Sequence, residues 1–314
     1  MDRERPPGGL SPAVRILSQV ETSDGSAASI PFSVQQCDWE GYALLDSGGG
    51  RKLERFGDTV LVRPETKAWW QPARPELWPR ADAEFRNNGV WRLRNREQAR
   101  SWPVKLNALT LEARLTDMSK HVGVFPEQEP HWRWMAPRLQ ALQKPRVLNL
   151  FGYTGVASLA AAAAGAQVTH VDASKPSIAW GRQHQSLSGM DSAPIRWLLD
   201  DAFKFVTREV RRGHQYQAIL LDPPSFGRGP KGEVWKVEQQ IVQLLNQLKQ
   251  LIAPGPAMMV MTLYNLEASA LMLANLLGDA LPSGRVECGE LALRETHAGR
   301  MLPLSLFARW TRDL

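Results

Sequence analysis

Cysteine is almost missing from this 314-residue chain, occurring only as Cys37 and Cys288. Two such distant thiols exclude a disulfide framework and a cysteine-built zinc site, and they favour a reducing, cytoplasmic setting. Long apolar runs are missing as well. The smoothest, Val156 to Ala166, falls short of the roughly 20 residues that span a bilayer. The leading MDRERPPGGLSP lacks the apolar stretch of a signal peptide, and residues 1–30 are expected to form a disordered lead. No histidine pair has metal-ligand spacing, so neither a metal nor a membrane is expected. No internal repeat is visible, and the G-x-G-x-x-G spacing of a dinucleotide fingerprint is absent.

What is present is a globular composition, 43% apolar and 22% charged, enough for one large domain or two ordinary ones. Thirty-eight Lys and Arg against 32 Asp and Glu leave a net charge of +6, which permits a polyanionic partner without requiring one. Six cations fall between Arg86 and Lys105 with one acid, Glu97, and with Trp91 and Trp102 among them. That cluster suits nucleic acid, or else tryptophans in a core with arginines on the wet face.

Residues 31–110 show short segments broken by turn formers: YALLDSGGGRKLERFG with a Gly48–Gly50 turn, DTVLVRP, then VWRLRN. They predict a small β-rich domain. From 111 to 314 the texture changes to apolar strands alternating with amphipathic helices: RVLNLF, QVTHVD, IRWLLD, QAILLD and AMMVMTL are each followed by a helical pattern. RVECGELAL and LSLFARW close the chain without helices. Such alternation predicts an α/β fold, a mainly parallel sheet of right-handed βαβ units with an antiparallel closing pair. Ligands in such sheets sit at the carboxyl ends of the strands, here just after Leu150, Val171, Leu199, Leu221 and Leu263.

The residues there carry chemistry. Asn149-Leu-Phe-Gly-Tyr-Thr-Gly155 is a turn whose two glycines would let backbone approach a ligand. Asp172, twenty residues beyond Gly152, is placed for ribose hydroxyls or for a helix N-terminus, and Ser174 is an expected N-cap. Asp200-Asp201 offers one carboxylate for an adenine amino group and one for capping. Asp222-Pro223-Pro224-Ser225 is a rigid loop that cannot continue a sheet. A carboxylate and fixed carbonyls aimed at one spot suit the orientation of an attacking nitrogen.

NLFGYTG, VDAS, DDAF and DPPSF, in this order, resemble the class I S-adenosylmethionine-dependent methyltransferases. Within them the chain resembles the bacterial 23S ribosomal RNA enzymes that modify cytosine C5 or guanine N7. Lys120-His-Val-Gly123-Val-Phe125-Pro-Glu-Gln128 resembles the family segment that closes over the methionine end of the cofactor. The resemblance implies a Rossmann-like methyltransferase sheet, S-adenosylmethionine as cofactor and RNA, ribosomal RNA above all, as partner. It implies that Asn149, Phe151, Gly152, Tyr153, Thr154 and Gly155 line the methionine moiety. Asp172 would hold the ribose and Asp201 the adenine N6, with Ala173, Ser174 and Ala202 beside them and Phe125 and Gln128 as cover. Asp222, Pro223 and Pro224 would face the methyl group and its acceptor.

The departures narrow the chemistry. Cytosine C5 becomes nucleophilic only after a thiolate adds to C6, and the C5 enzymes carry that cysteine after the fifth strand or within the motif after the fourth. Here those positions read Thr262-Leu-Tyr264-Asn265 and Ser225. A base nitrogen needs only in-line placement in a dry site. Phe226 or Tyr264 is expected to stack on the base, and Arg228, Lys231 and Trp235 in the following Gly-rich loop are expected to meet RNA. Arg300 is a candidate phosphate contact, and His121 abuts the cofactor segment. A methyltransferase of the same fold acting on a protein or small molecule is the nearest rival. A non-catalytic RNA-binding protein would need a damaged pocket.

Overall fold

A computed structural model describes residues 30–264 and 266–314. All but the last residue of the expected lead, and Asn265, lie outside the described residues.

After β1 (Phe32–Gln36) comes a small, mostly antiparallel sheet of β2 (Tyr42–Gly48), β3 (Arg51–Phe56), β4 (Thr59–Pro64), β5 (Ala83–Phe85) and β6 (Trp91–Leu93). A separate hairpin, β7 (Ser101–Leu106) and β8 (Leu109–Arg114), leads to α1 (Glu129–Gln140). Alternation then begins with β9 (Arg146–Leu150), α2 (Val156–Ala163), β10 (Gln167–Asp172), α3 (Lys175–Leu187), β11 (Ile195–Leu199), α4 (Ala202–Arg211) and β12 (Ala218–Leu221). A short hairpin, β13 (Phe226–Arg228) and β14 (Val234–Lys236), precedes α5 (Val237–Leu248). The chain ends with β15 (Ala257–Tyr264), α6 (Ala270–Ala280), β16 (Arg285–Arg294) and β17 (Met301–Arg312).

The large sheet has eight strands in the order β1-β16-β17-β15-β12-β9-β10-β11. Strands β15, β12, β9, β10 and β11 run parallel, while β17 is antiparallel to both β15 and β16. Its central strands are almost wholly apolar, AILL in β12 and AMMVMTL in β15 with Thr262 the one polar residue, and these residues are buried. Strands covered by helices on both faces carry that pattern. Strand order reverses between β9 and β12, whose ends are level at Leu150 and Leu221. A crevice opens beyond such a switch point.

Two expected boundaries move. Strand β1, expected in the small domain, pairs in parallel with β16 at the edge of the large sheet. The division at 110/111 falls inside β8, which is tied to α3 where Trp180 Nε1 donates to the Glu112 carbonyl at 3.1 Å. The small sheet's Tyr42, Phe56 and Leu61 share one continuous core with Leu111, Met135, Val147 and Leu159. No helix among the described residues is long and apolar enough to cross a membrane.

Candidate active site

The loop after β9 is the most contorted backbone at the switch point. Phe151 and Tyr153 both adopt left-handed φ values, 56° and 51°, which cost bulky residues about 1–3 kcal/mol each and persist only where the surroundings enforce them. The enforcement is visible. Gly152 N–H donates to the Val171 carbonyl at 3.1 Å, and Tyr153 N–H donates to Asp172 Oδ2 at 2.8 Å. The glycines play a different part from the expected one. A side chain at Gly155 would run into the Trp197 ring, and one at Gly152 into His170. Their bareness thus admits rings from the neighbouring strands, and Gly155 does not line the cavity. Asn149 is likewise structural on one side: its buried amide donates to Ser158 Oγ at 2.9 Å. Its other side meets a small recess shared with Gly152 and Thr154.

Beyond the loop lies a cavity of about 470 Å³, walled by Phe125, Phe151, Tyr153, Ala173 and Trp235 and edged by the carboxyl groups of Glu127, Asp172, Asp200, Asp201 and Asp222. This size is usual for a cofactor site. Asp172 Oδ1 accepts from Ser174 N–H at 2.8 Å, completing a two-amide cradle, while Ser174 caps α3 through Ser177 N–H. Burial raises the Asp172 pKa despite those two bonds. At the end of β11 the capping role falls to the aspartate that was expected at the adenine. Asp201 caps α4 through Lys204 N–H at 2.9 Å, and Asp200 pairs with Arg208.

The upstream segment folds over the opposite wall. Thr154 Oγ1 donates to the Gly123 carbonyl at 2.5 Å, and the rings of His121, Phe125 and Tyr153 follow one another at 5.1 and 5.4 Å. Burial, then the charges of Arg63 and Lys120, push His121 down to about 3, so it stands there neutral. Gln128 Nε2 donates to Asp222 Oδ2 at 3.3 Å. Burial first, and the nearby Glu127 carboxyl second, raise Asp222 to about 7, against the lowering effect of a bond from Thr262.

Past Asp222, Pro223 and Pro224 line the cavity together with Arg228, Trp235 and Tyr264. Trp235 Nε1 donates to the Pro224 carbonyl at 2.8 Å and its ring packs on Phe151 at 5.0 Å. It braces the rigid loop, and one of the carbonyls expected to face the acceptor is engaged from behind. Phe226 does not join the site; it lies in β13, 53% exposed and off the cavity wall. Lys231 also lies off the wall, its backbone N–H held by Glu233. Arg300 is no free phosphate contact, being paired with Glu295 at 2.6 Å and Asp46 at 3.1 Å. In the Arg86–Lys105 cluster Trp91 is buried, and Arg86, Arg94 and Arg100 pair with Glu84, Asp82 and Asp117. That cluster is mainly a core residue with a compensated wet face.

Sequence reasoning missed the charged floor that the small sheet supplies. Lys52, Glu54, Arg63 and Glu65 are all buried and continue through Lys120, His121 and Glu127 to Tyr264. Arg63 grips Glu54 with two bonds, 2.7 and 2.9 Å, and Tyr42 Oη donates to Glu54 at 2.7 Å. Burial opposes the Glu54 charge, but Arg63 and Lys52 outweigh it and hold the group at about 2. The available signal was opposite charges spaced by two, Lys52–Glu54 on β3 and Arg63–Glu65 at the end of the neighbouring β4. Glu127 stood between two assigned residues, Phe125 and Gln128.

A doubly wound sheet, a strained loop at its switch point and an acid-lined cavity at the strand ends suit a cationic cofactor. S-adenosylmethionine would fit that wall: its sulfonium and ammonium would meet an excess of carboxyl groups, and Asp172 and Asp201 stand on successive strand ends. Residues 81–276 match the S-adenosylmethionine-dependent methyltransferase family. Over 88% of its length the chain aligns at 43% identity with a SAM-dependent methyltransferase from Agrobacterium tumefaciens, covering 92% of that chain with a TM-score of 0.85. The chain belongs to this family and is an S-adenosylmethionine-dependent methyltransferase. It is also 38% identical over 111 residues to the ribosomal RNA large subunit methyltransferase K/L of Shewanella baltica, and 34% over 112 residues to that of Pseudoalteromonas translucida. Those stretches cover 35% of this chain but only 15% and 16% of the relatives.

Proposed function

We propose that the protein methylates a nitrogen of a nucleobase in ribosomal RNA of the large subunit, in the cytoplasm. The observation that carries the chemistry is the acceptor end of the cavity, where Asp222 and the Pro223-Pro224 loop stand without a thiol. Cys288 is fully buried in β16, and Cys37 lies off the cavity wall with its pKa raised by burial and by Glu129 and Glu127. A C6 adduct therefore has no nucleophile within reach, and a base nitrogen needs none.

In this reading Asp172 holds the ribose, Asp201 meets the adenine through the oxygen not used in capping, and Ala173 and Ala202 flank the ring. The strained turn from Phe151 to Thr154 and the cover of Phe125 and Gln128 hold the methionine end. The bound cofactor supplies a methyl group on cationic sulfur, open to in-line attack by a nitrogen lone pair. Asp222, ionised, accepts a hydrogen bond from the base and takes up the proton that an exocyclic amine must shed; toward a ring nitrogen it orients only. Pro223 and Pro224 fix that carboxylate, and Tyr264 stacks on the base. Arg228 meets the RNA backbone at the rim. RNA as the substrate rests on this cationic, aromatic rim together with the names of the curated relatives.

The test is nucleoside mass spectrometry after incubation with labelled cofactor and unmodified ribosomal RNA. An N-methylated base carrying the label is expected, and Asp222→Ala should keep cofactor binding while losing turnover. Labelled 5-methylcytidine would overturn the nitrogen assignment, and label in protein alone would overturn RNA.

A further inference from the structure

Of the twelve tryptophans only Trp69 is exposed, at 88%. Among the described residues its ring has no aromatic or cationic partner. The loop that carries it is nevertheless firmly held. Ala68 is fully buried, and its carbonyl accepts from Gly50 N–H at 2.9 Å. The Trp70 carbonyl accepts from Gly49 N–H at 2.7 Å, and Trp70 Nε1 donates to Ser47 Oγ at 3.0 Å. One residue further, Arg300 donates to the Gln71 carbonyl at 2.9 Å. A pinned loop with a single bare indole has already met the ordering cost that binding otherwise exacts.

Its placement gives it a direction. Two residues before the indole, Lys67 Nζ donates to the Leu304 carbonyl at 2.5 Å and lies 5.8 Å from the centre of the Tyr264 ring. Tyr264 and Ser305, next to Leu304, line the cavity. The loop of the small sheet thus borders the acceptor side of the site.

Resting on the RNA reading above, we infer that Trp69 is a stacking platform for an unpaired base of the RNA next to the target nucleotide. An indole face accepts any base without hydrogen-bond readout, favouring purines through stronger stacking. The small sheet would then supply the substrate's second grip, while the cavity takes the reacting base.

The test measures binding of the full chain to single-stranded oligo(A) and oligo(U) RNA over a salt series, with calorimetry of cofactor binding alongside. Trp69→Ala should bind oligo(A) about tenfold more weakly. The slope against salt should stay unchanged, because no cation is removed. Trp69→Phe should keep most of the affinity, and cofactor binding should not move in either variant. Wild-type affinity for RNA in Trp69→Ala overturns the inference and leaves the proposed function standing. An equal loss of cofactor affinity makes the residue merely structural and overturns it too. A wild-type protein that neither binds nor methylates RNA overturns both readings.

Discussion

Glu127→Gln is the substitution that most directly interrogates the acceptor site. Asp222 stands near 7 against an ordinary 3.8, with burial the larger cause and Glu127 the second. If the ionised carboxylate is the working form, kcat/KM, which reports the free enzyme, should rise with pH along a limb centred near 7. At pH 6 only about one Asp222 in ten would be ionised. Removing the Glu127 charge removes one cause and leaves the other, so the limb should move to lower pH by less than the full distance to 3.8. The variant should then be faster than wild type at pH 6 and no faster at pH 8.5. A bound cationic cofactor favours the carboxylate, so the kcat limb should lie below that of kcat/KM. Single-turnover methyl transfer from pH 5 to 9 gives both. A wild-type profile flat across that range, or an identical limb in Glu127→Gln, would refute Asp222 as the group whose charge matters. Stability supplies a second sign. A carboxyl whose folded pKa is raised costs stability increasingly as pH rises from 3.8 toward 7. Asp222→Asn should therefore raise the Tm at pH 8 and leave it little changed at pH 4.

Three further outcomes follow from other parts of the structure. Asp172→Ala should weaken cofactor binding by about 1–3 kcal/mol, since it removes the proposed ribose acceptor and the carboxylate that holds Tyr153 N–H; unaltered calorimetric affinity would contradict the assignment. Arg228→Gln should reduce the slope of RNA affinity against salt by about 0.7, the release expected for one phosphate contact on a single strand, and an identical slope would take Arg228 out of the interface. Arg63→Met strands the buried Glu54 and should cost about 3–5 kcal/mol at pH 7 by urea unfolding. Glu54 is held near 2 in the folded protein against an ordinary 4.5, so this contribution is complete above pH 4.5 and lost as pH falls through 2. The variant's deficit should be smaller at pH 3 than at pH 7; an equal deficit would place the cost in packing.

What was legible in the sequence is what the chain sets locally. Strands β9, β10, β11 and β15 end a few residues before their helices begin, and β12 gives way to the Asp222-Pro223-Pro224 loop, so an acid at or just past such a strand end faces the crevice. Asp172, Asp201 and Asp222 could therefore be placed before any pairing was known. Caps follow the same logic: Ser174 holds the helix start expected of it, while Asp201, expected at the adenine, proves to cap α4. The direction of a residue within a loop follows from no period. Phe226 points outward because β13 pairs with β14 and places it opposite Lys236, and Lys231 leaves the wall in the same hairpin. Nor does sequence reveal what a glycine makes room for: Gly155 yields to Trp197, a ring on β11, forty-two residues further along the chain. The charged floor is the strongest case. Lys52, Glu54, Arg63 and Glu65 read as an ordinary solvated hairpin until the small sheet is packed against the segment from Lys120 to Glu127. Only that long-range contact buries four charges beside Glu127, and Lys52, Arg63 and Glu54 act on that carboxyl. The small sheet, expected as an accessory domain, thereby reaches the cavity through Glu127, which lies on both the charged floor and the cavity wall.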